Sequence, residues 1–341
     1  MSSSSEIPVT VLTGYLGSGK TTLLNRILST ASDLRIAVIE NEVGEVGIDQ
    51  DLVIRSVERL IATNGGCVCC AVRDDLIEAL SDVLNAERPP DRIVIETSGL
   101  ADPAPIAQTF YDTARFRDRL RLDGIVTLVD AKHSWLHLDE SAEACKQIAL
   151  ADRLVINKAD LVEAAALEAL EQRLERLNSG AVRLRACHAE VPVEDLLEVG
   201  GFDREHAFNL DTELDLRSGG EALRPIAERR GALAHAHQDD INTVSLVEGA
   251  ALDGDAVADW LTMLLRVQGE DLFRTKGILH VRGMKERFVI QAVHMMLDGG
   301  PDRPWAPDEP RKSRLVFIGR NLDREALLAG LRSCIASPAP S

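Results

Sequence analysis

The sequence predicts an α/β fold, a mostly parallel sheet flanked by helices, with a smaller α+β domain after it. Three observations predict it. Short apolar runs alternate with helix-spaced stretches through the first 200 residues, the pattern of a parallel sheet covered on both faces. A Gly-rich turn joins the first apolar run to the first helical stretch. The pattern fades over residues 201–241 and resumes over 242–336.

The elements follow in order. Residues 8–13 read as a buried strand, and a helix runs from Lys20 to about residue 28. Residues 35–40 form a second strand, and 41–51 an acidic loop containing Gly44 and Gly47. Residues 74–85 place Leu76, Ile77, Leu80, Val83 and Leu84 on one helical face. Residues 92–96, 124–130, 153–157 and 182–185 are further strands, and 164–177 is a helix rich in Leu, Ala and Glu. Beyond 241, strands are expected at 243–247, 277–281, 288–292 and 315–319, with helices at 255–267 and 323–332. The domains are therefore placed at 1–200 and 242–336, with a linker at 201–241.

Composition excludes some partners. The chain carries 38 Lys+Arg against 55 Asp+Glu, a net charge of −17. Such a surface repels a polyanion, so no nucleic-acid partner is predicted. No apolar run reaches the length of a membrane span, and the first residues lack the basic and apolar regions of a signal peptide. A cytoplasmic location with reduced cysteines is expected.

Gly14-Tyr15-Leu16-Gly17-Ser18-Gly19-Lys20-Thr21-Thr22 fits G-x-x-x-x-G-K-[ST] between a strand and a helix. The glycines let backbone N–H groups turn toward phosphate oxygens. Lys20 reaches the outer phosphates, and the Thr21 hydroxyl faces Mg²⁺. Asn157-Lys158-Ala159-Asp160 stands at a strand's carboxyl end, where ligands of open α/β sheets collect. An Asp there can accept from both N–H groups on guanine's Watson–Crick edge. Alternatively, Asp160 caps a helix starting near Leu161.

Glu96-Thr97-Ser98-Gly99-Leu100-Ala101-Asp102-Pro103 follows the 92–96 strand. Glu96 suits Mg²⁺, and Gly99 offers a backbone N–H to a γ-phosphate. Ser98 or Asp102 as a helix cap is the competing reading. The 40–49 loop is placed as a nucleotide-responsive switch, with Glu45 a candidate to orient the attacking water; a solvated acidic loop is the competing reading.

Cys67, Cys69 and Cys70 put three thiols into four residues. Thiolates favour soft cations such as Zn²⁺, and three leave a fourth position open for a metal that is handed on. A redox pair or core packing are the alternatives. Cys145, Cys187 and Cys334 are expected to be buried apolar residues. His235 and His237, with Asp239 and Asp240, are a second, weaker metal candidate.

Taken in order, these motifs resemble the CobW/HypB/UreG group of P-loop GTPases and, within it, the CobW-like metallochaperones. The 14–22 loop, Gly44-Glu45, the C-x-C-C of residues 67–70, the 96–103 segment and Asn157–Asp160 all carry the likeness. So do Arg274-Thr275-Lys276-Gly277 and residues 313–320, which resemble the CobW C-terminal domain.

The resemblance implies a slow, metal- or client-stimulated GTP hydrolase that delivers zinc or cobalt to a client metalloprotein. It implies that Gly17, Ser18, Gly19, Lys20, Thr21 and Thr22 hold the phosphates of GTP or GDP. Asn157, Lys158 and Asp160 would hold guanine, and Cys67, Cys69 and Cys70 the metal. Homo-oligomers are compatible with it. A cobalt-handling factor in cobalamin synthesis, or a non-enzymatic GTP-dependent metal sensor or store, are the alternatives.

Overall fold

The computed structural model describes residues 6–41, 60–62, 70–112, 116, 119–201 and 241–336. Its first part is a seven-stranded sheet. The strands are β1 (Ile7–Gly14), β2 (Ile36–Asn41), β3 (Leu60–Ala62), β4 (Arg92–Thr97), β5 (Leu120–Asp130), β6 (Arg153–Asn157) and β7 (Val182–Arg185). Their order is β3-β2-β4-β1-β5-β6-β7, and every pairing is parallel. The mostly parallel sheet read from the sequence is thus parallel throughout its described strands.

Near-continuous apolar runs make these strands, because both faces of a parallel sheet are covered. β1 is buried from Val9 to Gly14 and lies at the centre of the sheet. The covering helices bury stripes at helical spacing. In α1 (Lys20–Thr30) the stripe is Leu23, Leu24, Ile27 and Leu28. The next helices are α2 (Cys70–Leu84), α3 (Ala104–Asp112), α4 (Ser134–Glu140) and α5 (Ala142–Leu150). In α6 (Ala164–Leu177) the buried stripe is Leu167, Leu170, Leu174 and Leu177. A short α7 (Glu194–Leu197) follows.

The second sheet holds β8 (Ile241–Glu248), β9 (Leu272–Leu279), β10 (Glu286–Val293), β11 (Met296–Pro304) and β12 (Ser313–Arg320), in the order β11-β10-β9-β12-β8. All its pairings are antiparallel. One face packs on α8 (Gly254–Gln268) and α9 (Arg324–Ser333), burying Val257, Leu261, Leu265, Leu327 and Leu331. Both helices start on aspartate caps. Asp253 accepts from the N–H groups of Asp255 and Ala256, and Asp323 from those of Glu325 and Ala326.

The other face meets the first sheet's helices. Phe273, Val293, Val316 and Ile318 share one apolar cluster with Phe110, Phe116, Ala149 and Leu150. Beside it, Asp152 accepts from Arg274 and, at 2.7 Å, from Lys276, while its other oxygen accepts from the Ile125 N–H at 2.9 Å. Burial opposes the Asp152 charge, but Arg274 and Lys276 outweigh it and hold the carboxyl below the ordinary range. Burial pushes the Lys276 ammonium down to about 8, against the pull of Asp152. No described helix is long and apolar enough to cross a membrane.

Candidate functional site

The carboxyl ends of the parallel strands share one edge, and the site is built there. Strand β1 ends at Gly14, with φ at 141°. A Cβ at Gly14 would lie 2.4 Å from the Leu128 carbonyl oxygen, so only glycine fits. Gly19, at φ 105°, precedes α1, and a Cβ there would lie 2.5 Å from the Asn157 side-chain nitrogen.

Helix α1 has no side-chain cap and no acidic residue in its first turn. Its leading N–H groups are left for an external acceptor, which the helix dipole makes an anion. Ser18 is 1% exposed, and among the described residues its buried hydroxyl has no hydrogen-bond partner. Buried hydroxyls rarely go unpaired, so this one fits a bound phosphate oxygen. Lys20 is buried and its Nζ donates to the Gly14 carbonyl at 2.8 Å and the Tyr15 carbonyl at 3.4 Å. Thr21 and Thr22 are exposed. The Thr21 hydroxyl donates to Glu96 Oε1 at 3.3 Å, so the two groups assigned to Mg²⁺ adjoin. Glu40 stands in register beside Glu96 on the neighbouring strand. The Thr21 hydroxyl and the Glu96 carboxylate are oxygen donors of the kind that hold a hard divalent cation.

The Thr97 hydroxyl donates to the Thr13 hydroxyl at 2.8 Å, fixing the end of β4 to that of β1. Gly99 then touches the phosphate loop, since a Cβ on it would lie 2.6 Å from the Leu16 backbone nitrogen. Asp102 accepts from the Ala104 N–H at 2.9 Å, so the capping role falls to Asp102 and starts α3.

The 157–160 motif begins at Asn157. Its amide donates to the Ser18 carbonyl at 2.9 Å, and its oxygen accepts from the Ala189 N–H at 2.8 Å. Lys158, left-handed at φ 59°, donates to the Gly17 carbonyl at 2.8 Å and to Asp130 Oδ2 at 2.7 Å. Burial opposes the Asp130 charge, yet bonds from His133 and Lys158 hold its carboxyl below the usual range. Asp160 is exposed and, among the described residues, makes no hydrogen bond or ion pair. It does not cap the following helix, because α6 starts at Ala164 with Glu163 at its cap.

Cys187 is exposed, which corrects its reading as a buried apolar residue. It lies in the loop after β7, beside the left-handed His188 and Ala189, whose course is set by the Asn157 bond. Cys145 and Cys334 are buried, as read. Glu45, Gly44, Cys67, Cys69, His235 and His237 lie outside the described residues. Cys70 opens α2, and β3 ends at Ala62 on the sheet edge that carries Glu40 and Glu96. Among the described residues no three His, Cys, Asp or Glu gather as metal ligands.

Sequence reasoning missed three participants: Asp130, Gln147 and the loop 186–189. Asp130 ends an apolar strand, a position that signals a ligand edge. Gln147 sits inside a helix and carried no signal. Its Nε2 donates to the carbonyls of Gly99 at 3.2 Å and Ala101 at 3.0 Å.

Residues 8–185 match the CobW/HypB/UreG nucleotide-binding domain, and residues 241–335 the cobalamin synthesis protein cobW C-terminal domain. The chain is 35% identical to the zinc chaperone YjiA of Escherichia coli over 96% of this chain and 99% of that one. It is 30% identical to the zinc-regulated GTPase metalloprotein activator 1 of Schizosaccharomyces pombe, over 93% and 83%. The crystal structure of the zinc-bound E. coli YjiA GTPase superposes with a TM-score of 0.73 at 30% identity, covering 97% of this chain and 100% of that one. A phosphate loop braced by Asn157, followed by a second matched domain, is accounted for by common descent: this chain belongs to the CobW/HypB/UreG family.

Proposed function

We propose that the chain is a GTP-hydrolysing metallochaperone that carries zinc to a client metalloprotein. One observation carries the nucleotide half of this reading: the Asn157 side chain joins the phosphate loop at Ser18 to the base-side loop at Ala189. Phosphate and base sites are thereby one rigid cradle. Gly17, Ser18, Gly19, Lys20 and Thr22 hold the phosphates, and Thr21 with Glu96 would hold Mg²⁺, which would supply charge neutralisation for the phosphates. Asp160 reads guanine from its exposed position, while Asn157 and Lys158 keep the two loops in register.

Cys67, Cys69 and Cys70 hold the cargo cation. Thiolates suit zinc, and two of the similar proteins are named a zinc chaperone and a zinc-regulated GTPase metalloprotein activator. Cobalt is the alternative cargo. Residues 1–200 and 242–336 act as nucleotide domain and C-terminal domain around the 201–241 linker. The chain works in the cytoplasm.

The test is zinc affinity of reductively purified protein, by competition, with and without a non-hydrolysable GTP analogue, alongside GTP-versus-ATP binding. The reading expects GTP preference and a zinc affinity that GTP shifts. Equal binding of ATP, or zinc affinity indifferent to nucleotide, would overturn it.

A further inference from the structure

Helix α5 touches both the nucleotide site and the second sheet. At the site end, Gln147 is 1% exposed and its one amide group serves two carbonyls, Gly99 at 3.2 Å and Ala101 at 3.0 Å. A primary amide has two N–H donors, so both are spent on this loop. Holding the Gly99 carbonyl fixes the plane of the Gly99–Leu100 peptide with its Leu100 N–H, and anchors Gly99 itself, whose own N–H lies on the preceding peptide. Next to Gln147, Lys146 pairs with Asp102 at 3.1 Å, and Asp102 in turn caps α3.

At the other end, Leu150, the last residue of α5, accepts from Arg274 of β9. The same guanidinium holds Asp152, two residues on. Lys146 also lies 5.9 Å from the Phe273 ring centre. Helix α3, which leaves the loop, packs on β10 and β11, while α5 packs on β9. Both helices tied to the 99–102 loop therefore rest on the second sheet.

We propose that Gln147 is a positioning residue for GTP hydrolysis, and that α5 links it through Arg274 to the C-terminal sheet. This inference rests on the GTPase reading above. Gln147 acts through the Gly99 and Ala101 backbone rather than on the reacting atoms. It sets the loop whose N–H groups meet the γ-phosphate, and a shift of the second sheet reaches that loop through α5. A client seated on the C-terminal sheet would change the hydrolysis rate by this route.

The experiment uses the full chain with Mg²⁺ and saturating GTP. Single-turnover hydrolysis and GDP affinity are measured for wild type, Gln147→Glu, Gln147→Met, Arg274→Lys and the double variant Gln147→Met/Arg274→Lys. The expected result is hydrolysis slowed about 10–100-fold in the Gln147 variants, the cost of a small misplacement, with GDP affinity within about threefold of wild type. Arg274→Lys should slow hydrolysis in the same way. The double variant should lose less than the product of the single losses, because both act through one helix. Gln147→Met keeps the test open should the buried charge of Gln147→Glu unfold the protein. Unchanged hydrolysis in a folded Gln147 variant, a parallel fall in GDP affinity, or independent losses in the double variant would overturn the proposal. A wild-type chain that binds GDP and hydrolyses no GTP would overturn the GTPase reading itself, and this inference with it.

Discussion

Asn157 and Ser18, 139 positions apart in sequence, are joined by a buried 2.9 Å hydrogen bond from side-chain amide to backbone carbonyl. The bond makes the 157–160 motif part of the support of the 14–22 loop. Asn157→Ala leaves the Ser18 carbonyl and the Ala189 N–H without partners. Each orphaned group costs about 1–3 kcal/mol. GDP and GTP affinity should therefore fall together by roughly tenfold or more, measured by calorimetric titration.

Asp160 predicts the opposite pattern. It is exposed and free of partners among the described residues, so Asp160→Ala should leave the melting temperature nearly unchanged. GTP binding should weaken while ATP binding does not, removing the preference. Competition of GTP and ATP against a fluorescent nucleotide checks this.

Gly19 tolerates no side chain. In Gly19→Ala the new methyl would meet the Asn157 amide at 2.5 Å on a backbone at φ 105°. Nucleotide binding should be lost with the fold retained, as should happen in Lys20→Ala. Circular dichroism with a nucleotide-binding assay distinguishes this outcome from unfolding.

Lys276 gives a pH signature. Burial holds its ammonium down to about 8 in the fold, below the ordinary lysine value of 10.5. Between those values the unfolded chain binds more protons than the folded one, so this group makes stability rise with pH. Wild type should therefore gain stability relative to Lys276→Met from pH 8 to pH 10.5, read from urea midpoints. A constant difference across that range would contradict it.

Zinc and GTP should report on each other. If both bias one two-state element, the factor by which GTP shifts zinc affinity equals that by which zinc shifts GTP affinity, a coupling of ~1–3 kcal/mol. Replacing Cys67, Cys69 and Cys70 by Ser should remove tight zinc and spare GDP binding. Equilibrium dialysis with zinc-65 and GDP titration test both.

Local signals made much of this legible in the sequence. Helix α6 and strand β7 have the boundaries that their leucine spacing and apolar run imply. The phosphate loop announces itself because glycine, lysine and threonine must stand at fixed offsets for backbone N–H groups to reach phosphate. Strand β11 was missed because Gly299, Gly300 and Pro301 spoil its alternation; antiparallel pairing to β10 makes it a strand nonetheless. Strand β3 is three residues long, too short to show a period. Gln147 and the Asp152–Arg274 contact were invisible because their partners lie far off in sequence, and spacing records only what is near.

The apolar cluster shared by Phe273, Val316, Ala149 and Leu150 carries a further consequence. Neither half of the chain is a detachable cassette. Severing it after Gly201 would bare a greasy patch on α3 and α5 and strand Asp152 without its guanidinium. The amino-terminal fragment should therefore precipitate when made alone, and hybrids swapping carboxyl-terminal halves between distant kin should succeed only where that seam is swapped as well.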